Sequence, residues 1–378
     1  MSLDFIITGM VRSGTTLTAK TADAQAGTFC PADPIFPFFR AFRNDLYAAA
    51  GIPVVGRTAP LTDFFFAPSR ELEVCAAASL DLPVVSDRDV LLAELQQYLR
   101  SALPECDGAF DAITAVTYRD LLIELLEKLR RHCARDGVRA LGLKQTWVEA
   151  FMPAVMNAFP NARVLHIVRD PRALIASWKK SNDLGHDYPF LMMIRHWRKS
   201  VALGRMHARK FPRCHVVRYE DFVADAHASL RRILPELRRE DFVASSSWKG
   251  NSSYQKETDR ISGVFVERWT ERLSIAELGL IEGICEPEMS AMGYARRTPE
   301  AARPDFPLIE KMLRGVEADQ SWVAGFGGKY AANDSGILKE ILRRGLLRIS
   351  PERADAELTR LAFIDPQLAA ERPSSAPA

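Results

Sequence analysis

Residues 9–16 read Gly9-Met10-Val11-Arg12-Ser13-Gly14-Thr15-Thr16 and follow directly on a short apolar run, Phe5-Ile6-Ile7. Two glycines five residues apart, with a hydroxyl two further on, have the spacing of a P-loop, where backbone N–H groups at a helix start cradle a phosphate. The lysine that grips β- and γ-phosphates in a nucleoside-triphosphate loop belongs at position 15, and this chain has Thr15 there. Arg12 supplies a cation two residues before the second glycine instead. The expected ligand is therefore a 5′-phosphate and not the triphosphate tail of ATP or GTP. Its donors are the N–H and hydroxyl groups of Ser13, Gly14, Thr15 and Thr16, with Arg12 alongside.

A second cationic feature lies later in the chain. Ala162–Val168 reads as a strand running into Arg169-Asp170-Pro171-Arg172, with Ser177 on the helix that follows. Arg169 falls at the carboxyl end of that strand, where open α/β sheets bind ligands. A planar guanidinium with a nearby hydroxyl makes a phosphate seat. The plainer alternative is a strand-end salt bridge between Arg169 and Asp170 with Ser177 merely packed, and the residues alone leave both open.

Holding these residues requires a buried parallel sheet. Phe5–Thr8, Ala140–Leu143 and Arg163–Val168 are near-continuous apolar runs of strand length, and Cys214–Arg218 is a weaker fourth. Helical patterns alternate with them. Gly14–Ala24 follows the loop, and Thr117–Arg135 carries Leu121, Leu122, Leu125, Leu126 and Leu129 on one stripe. Glu149–Phe159, Pro171–Lys180 and Tyr188–Lys210 complete the set, with Asp170-Pro171 as an N-cap followed by proline at the first helical position. Strands alternating with helices predict an α/β fold, a P-loop-type parallel sheet flanked by helices. A helical insertion and a helical C-terminal extension are added to it.

The chain has 378 residues, 47% hydrophobic and 26% charged, ordinary values for a globular protein. A formal net charge of +2 gives no bulk field for nucleic acid, so any cationic site must be local. The six cysteines are scattered without paired or metal-like spacing, which predicts reduced thiols in a cytoplasmic protein and no metal site. No apolar run reaches the roughly 18 residues of a membrane span, and no signal peptide is expected. Residues 57–110, mixing prolines, aromatics and short apolar runs, read as an insertion covering the open end of the sheet and shaping an acceptor site. A Pro/Arg/Ala segment, Arg296–Pro307, reads as a linker into a helical extension, its basic stretch Lys339–Arg348 as a solvated helix face, and Glu371–Ala378 as a disordered tail.

The two anion motifs together resemble the sulfotransferase family. There a GxxRSGTT loop holds the 5′-phosphosulfate of 3′-phosphoadenosine-5′-phosphosulfate, and an Arg/Ser pair like Arg169 and Ser177 holds its 3′-phosphate. The resemblance explains the missing lysine, since there is no γ-phosphate to grip. It extends through Lys144, Phe159-Pro160-Asn161-Ala162-Arg163, Arg218-Tyr219-Glu220-Asp221 and Trp269…Met289…Gly293-Tyr294. It covers roughly residues 4–295 as one domain and leaves out 57–110 and 296–378.

The nearest branch is that of the tyrosylprotein sulfotransferases and their bacterial relatives. In that branch a lysine stands fifteen residues before the Phe-Pro-Asn segment, the spacing of Lys144 to Phe159. A catalytic glutamate there stands twenty-one residues after the loop arginine and three after a cysteine. Cys30 is in register here and the counted position is Asp33, one methylene shorter. Cytosolic small-molecule sulfotransferases resemble one another in a histidine base, whereas this chain has no histidine before His132.

The resemblance implies that Asp33 is the general base, that Lys144 points at the oxygen bridging phosphate and sulfate, and that Arg12 meets the phosphosulfate or the acceptor. Tyr219 lies near the adenine. In a late loop, Lys249-Gly250-Asn251-Ser252-Ser253, one of the two serines, taken as Ser253, contacts the sulfate and Arg260 the 3′-phosphate. Plainer alternatives stand beside each role. Asp33 could be a turn residue between Pro31 and Pro34, Lys144 an exposed helix-starting lysine, and Tyr219 a core aromatic. An ordinary aspartate has a pKa of about 3.9, so the base role calls for partial desolvation. His166 and His196 read as structural.

The expected reaction is sulfuryl transfer to a hydroxyl of a carbohydrate or small metabolite, without metal, releasing adenosine 3′,5′-bisphosphate. The rivals are a P-loop kinase or NTPase and a nucleotide-binding protein without turnover.

Overall fold

The structure is a computed structural model that describes residues 3–54, 61, 70–179, 190–244, 261, 263, 266–298, 365 and 367–368. Two compact units divide the chain. One comprises residues 1–63, 69–169 and 207–265, the other residues 64–68, 170–206 and 266–378.

The first unit is built on five parallel strands in the order β2-β3-β1-β4-β5. These are β1 (Phe5–Thr8), β2 (Thr28–Phe29), β3 (Ala140–Lys144), β4 (Arg163–Val168) and β5 (Cys214–Arg218). Every residue of β1 is buried, as an apolar central strand covered on both faces must be. It pairs with β3 through Phe5 and Gly142, and with β4 through Phe5 and Arg163. This is the parallel α/β sheet expected from the residue pattern, of P-loop type.

The helices of this unit are α1 (Thr15–Asp23), α2 (Phe36–Ala49), α3 (Arg70–Ala76), α4 (Arg88–Ala102), α5 (Tyr118–Cys133), α6 (Met152–Ala158), α9 (Tyr219–Ala224) and α10 (Ala226–Leu230). Helix α5 matches the leucine stripe, for Leu121, Leu122, Leu125, Leu126 and Leu129 are all buried. The Thr117 hydroxyl accepts from the Asp120 N–H and caps its start. The predicted Glu149–Phe159 helix instead opens as a 3-10 turn, Glu149–Phe151, because Pro153 cannot supply an N–H to an α-helical ladder through that turn.

Strand β2 and helix α2 were not foreseen from the pattern. Pro34, Pro37 and four phenylalanines hide the helical period of α2, which is fixed by packing. Phe38 and Phe42 meet Tyr118 at ring-centroid distances of 5.5 and 5.1 Å, and the Tyr118 hydroxyl donates to Asp45 Oδ2 at 2.7 Å. The helical insertion is present as α3, α4 and a 3-10 turn, Pro104–Cys106.

One expectation is corrected. Cys106 and Cys133, separated by 27 residues, form a disulfide, while Cys30, Cys75, Cys214 and Cys285 are free and buried. The pairing has no spacing signature, since it depends on α5 returning beside the turn that ends α4.

The second unit contains α7 (Pro171–Lys179), most of α8 (Phe190–Lys210) and α11 (Ile275–Ala291). Asp170 caps α7 as expected, accepting the Arg172 N–H at 2.9 Å. A buried network centres on Arg172, which binds Asp170 and Glu282 and lies 4.2 Å from the Trp269 ring. Glu282 also accepts from Arg297 N–H and from the N–H and hydroxyl of Thr298. The start of the expected linker is therefore tied down, its backbone N–H groups serving as ligands of a buried carboxylate. The remainder of the extension and tail lies outside the described residues.

His166 on β4 and His207 near the end of α8 are buried, which bears out the structural reading for the first. His196, in the second unit, is buried as well. Burial pushes His166 down to about 4 and His207 down to about 3, with the charges of His166 and Lys210 adding to the latter. Unfolded histidines bind a proton near the ordinary value of 6.5 and the folded ones do not. The unfolded state thus takes up more protons on acidification, and stability is lost as pH falls below about 6.5. Urea unfolding should show a loss of about 2 kcal/mol or more between pH 7.5 and pH 5. A midpoint that stays constant over that range would contradict the neutral buried pair.

Candidate active site

The loop after β1 emerges at the middle of the sheet, between the ends of β3 and β4. Gly9 sits at φ 142, and a Cβ there would meet the Ile167 carbonyl oxygen at 2.4 Å, so the loop presses on the backbone of β4. The Ser13 hydroxyl and N–H both turn inward to the Met10 carbonyl oxygen, at 2.6 and 3.2 Å, and shape the loop. Helix α1 then starts behind Gly14 with no side-chain cap and no acidic residue in its first turn. The N–H groups of Gly14, Thr15 and Thr16 have no partner among the described residues. An uncapped helix start with free N–H groups is an anion seat.

The second motif arrives at the same place. Arg169, buried at the end of β4, donates from Nη1 to the Arg12 carbonyl oxygen at 3.3 Å. Its guanidinium carbon lies 4.5 Å from the ring centroid of Tyr219, the first residue of α9. Tyr219 in turn packs against Gly14, where an added Cβ would lie 2.2 Å from the ring. Burial raises the Tyr219 phenol above its ordinary range, and the Arg169 charge offsets part of that rise. Tyr219 is therefore both a buried aromatic and a neighbour of the loop. Arg12, Gly14, Arg169 and Tyr219 form one contiguous surface. Asp170 gives its carboxylate to Arg172.

Ser177 is buried on α7, in the second unit. Ser253 and Arg260 lie outside the described residues.

A third group is assembled by a parallel bridge between Ala32 and Lys144. The Lys144 N–H donates to the Pro31 carbonyl at 3.0 Å, and the Asp33 N–H to the Lys144 carbonyl at 2.7 Å. With the backbones so joined, Lys144 Nζ donates to Asp33 Oδ2 and, at 3.3 Å, to Thr16 Oγ1. The lysine side chain is only 2% exposed and the aspartate 25%. Burial at this level rules out the exposed helix-starting lysine.

Asp33 Oδ1 accepts from Gln145 Nε2 at 3.2 Å, Thr146 N–H at 2.9 Å and Thr146 Oγ1 at 3.1 Å. Among the described residues Oδ2 accepts from Lys144 alone. The carboxylate is thus neutralised by a cation and held on one oxygen, not isolated in an apolar setting. Gln145 and Thr146 were not singled out from the sequence. Their only signal there is adjacency to Lys144.

The non-glycine residues with positive φ among those described are Arg12 (67°), Asp33 (55°) and Trp147 (62°). All three belong to these groups or adjoin them. Such conformations cost about 1–3 kcal/mol each and persist where the surroundings over-determine them. No group of three or more His, Cys, Asp or Glu among the described residues is placed to hold a metal ion.

Residues 4–242 match the family model described as the Sulfotransferase family. The chain belongs to that family, whose chemistry is sulfuryl transfer. Three solved structures are similar to it. One is a sulfotransferase domain from the curacin biosynthetic pathway, at 15% identity over 79% of this chain and 99% of that one, with a TM-score of 0.47. Another is the sulfotransferase domain of the olefin synthase of Synechococcus PCC 7002, at 18% identity over 77% and 94%, with a TM-score of 0.45. The third is the sulfotransferase STF9 of Mycobacterium avium, at 14% identity over 79% of each chain, with a TM-score of 0.38. No curated protein matches the chain in sequence.

Replacing Gly14 with alanine should break the loop at two points, by forcing a Cβ into the Tyr219 ring and by straining φ 97. The expected loss is about 2 kcal/mol of stability with weakened anion binding. Unfolding midpoints with and without adenosine 3′,5′-bisphosphate would measure both, and a Gly14→Ala protein indistinguishable from the parent would disprove the close packing.

Proposed function

We propose that this chain moves a sulfuryl group from 3′-phosphoadenosine-5′-phosphosulfate to the hydroxyl of a carbohydrate or small metabolite. The observation that carries the reading is the position of Lys144 Nζ. It is buried and shared between Asp33 Oδ2 and Thr16 Oγ1, the latter in the first turn of the uncapped helix α1. The donor supplies the activated sulfuryl group and an anion at each end. Gly14, Thr15 and Thr16 N–H with Arg12 hold the 5′ end, and Arg169, braced by Tyr219, holds the 3′-phosphate. Ser177, Ser253 and Arg260 are assigned as donor contacts by the family resemblance alone.

Asp33 takes the acceptor proton on Oδ2, the oxygen with room for it. The acceptor oxygen then bonds to sulfur as the sulfur–oxygen bond to the phosphate breaks, and the electron pair stays on the phosphate. A protonated Asp33 holds Lys144 less strongly, so the ammonium can turn to the leaving oxygen as its charge develops. Base and charge stabiliser are coupled through one ion pair, and preorganised donors of this kind supply most of the barrier lowering.

No helix among the described residues is long and apolar enough to cross a membrane. We place the activity in the cytoplasm. The Cys106–Cys133 disulfide is the observation that weighs against that placement, because cytosolic thiol pools reduce such pairs. Recovery of the intact bond from cells quenched with an alkylating agent would argue for another compartment, and recovery of two free thiols for the cytoplasm.

Arg169→Ala should weaken adenosine 3′,5′-bisphosphate binding by about tenfold to a hundredfold, the worth of a charge-assisted phosphate contact. Calorimetric titration measures it, and equal binding of ATP and the bisphosphate would refute the donor assignment. Asp33→Asn should leave that affinity nearly intact and abolish most turnover. Normal turnover by this variant would remove Asp33 from the base role.

A further inference from the structure

Gln145 and Thr146 follow the buried lysine directly in the chain, and both side chains are committed to the proposed base. Thr146 donates its N–H and its hydroxyl to Asp33 Oδ1 at 2.9 and 3.1 Å, and Gln145 donates Nε2 to the same oxygen at 3.2 Å. The backbone of Gln145 is fixed from the other side. Its N–H donates to the Ile7 carbonyl oxygen at 3.0 Å, and its carbonyl oxygen accepts from the Thr8 hydroxyl at 2.9 Å. These donors are thereby anchored to the end of β1, immediately before Gly9 and the phosphate loop.

In one respect Gln145 is destabilising. It is completely buried, and its Oε1 has no hydrogen-bond partner among the described residues. A buried amide oxygen left without a donor lowers stability, so its retention asks what the rest of the amide does. The amide cannot turn over to relieve the oxygen, because Oε1 would then face the Asp33 carboxylate. An apolar side chain of the same length would remove the unmet acceptor. It would also remove the N–H that Asp33 Oδ1 accepts.

These donors matter most when Lys144 moves. Uptake of the acceptor proton makes Asp33 neutral and weakens its attraction for the ammonium. A carboxyl group tied by that ion pair alone could then rotate and exchange its two oxygens. Bonds from an amide, a peptide N–H and a hydroxyl survive the change, since in the acid form Oδ1 is a carbonyl oxygen and still accepts. With three donors on it, Oδ1 has no lone pair left for the proton.

We infer that Gln145 and Thr146 are positioning residues for Asp33. They hold Oδ1 through both charge states, so that the acceptor proton enters only at Oδ2 while Lys144 is released. This rests on the sulfuryl-transfer reading above and deepens it. The acceptor O–H proton passes to Oδ2, the acceptor oxygen bonds to sulfur, and the sulfur–oxygen bond to the donor phosphate breaks with its electron pair on that phosphate.

The test uses the full chain with saturating 3′-phosphoadenosine-5′-phosphosulfate. Release of adenosine 3′,5′-bisphosphate is followed with methyl β-glucoside, 2-naphthol or 1-octanol added, and with water alone as acceptor. Gln145→Met removes the donor and the unmet oxygen together. It should lower kcat about tenfold while the unfolding midpoint stays level or rises and bisphosphate affinity is unchanged. A residue that only supported the fold would lose stability and activity together. Thr146→Val should lower kcat by a similar factor with KM little changed, and Thr146→Ser, which keeps the hydroxyl, should recover most of the loss. Full kcat in Gln145→Met and Thr146→Val, a Gln145→Met loss of kcat matched by a lower midpoint, or no recovery in Thr146→Ser each overturns the positioning role. In those cases an inactive Asp33→Asn leaves the base reading standing. Full turnover by Asp33→Asn overturns both, as does a parent chain that releases bisphosphate no faster than buffer with every one of these acceptors.

Discussion

A lysine ammonium that is almost completely buried cannot stand without a counter-charge, and this single requirement organises the site. Lys144 ends β3 inside the protein, where an unpaired cation would be severely destabilising. Its counter-charge is Asp33, and two backbone hydrogen bonds across the bridge at Ala32 keep the pair together whatever the side chains do. The same ammonium reaches Thr16 in the first turn of α1. One charge therefore joins the carboxyl end of β3, the proposed base and the phosphate loop. The chemistry proposed for the site uses those links in reverse, with each proton movement at Asp33 felt at the start of the helix.

Strain is concentrated where this arrangement is tightest. Arg12, Asp33 and Trp147 hold left-handed backbone conformations on three segments distant in sequence. The loop turns sharply at Arg12 so that its carbonyl faces Arg169. Asp33 turns so that its carboxylate returns toward the strand its own backbone has just joined. Regular elements elsewhere relieve none of this directly. They make it tolerable by fixing the segment ends, as β1 does by being buried along its whole length.

The parts legible in the sequence are those with a local cause. The Gly9–Thr16 spacing, the arginine at the end of β4, the leucine stripe of α5 and the cap at Asp170 each follow from residues within a turn or two of one another. The fifteen-residue register of Lys144 and the counted position of Asp33 depended on family resemblance, and their pairing could not be seen in either segment alone. Helix α2 was hidden because its period is carried by phenylalanines between prolines and is fixed by Tyr118, which is distant in the chain. The Cys106–Cys133 bond was invisible for the same reason. It needs an insertion to fold back, and no short-range pattern encodes that return.

The stack of Gly14, Tyr219 and Arg169 has a bearing on how this protein can vary. The ring occupies the volume a side chain at position 14 would need, and it also lies against the Arg169 guanidinium. Substitutions at these positions should be strongly non-additive, because shrinking the aromatic to admit a larger loop residue also unseats the arginine. Three residues drawn from three crossovers behave as a single heritable unit, open to exchange together and closed to drift one by one.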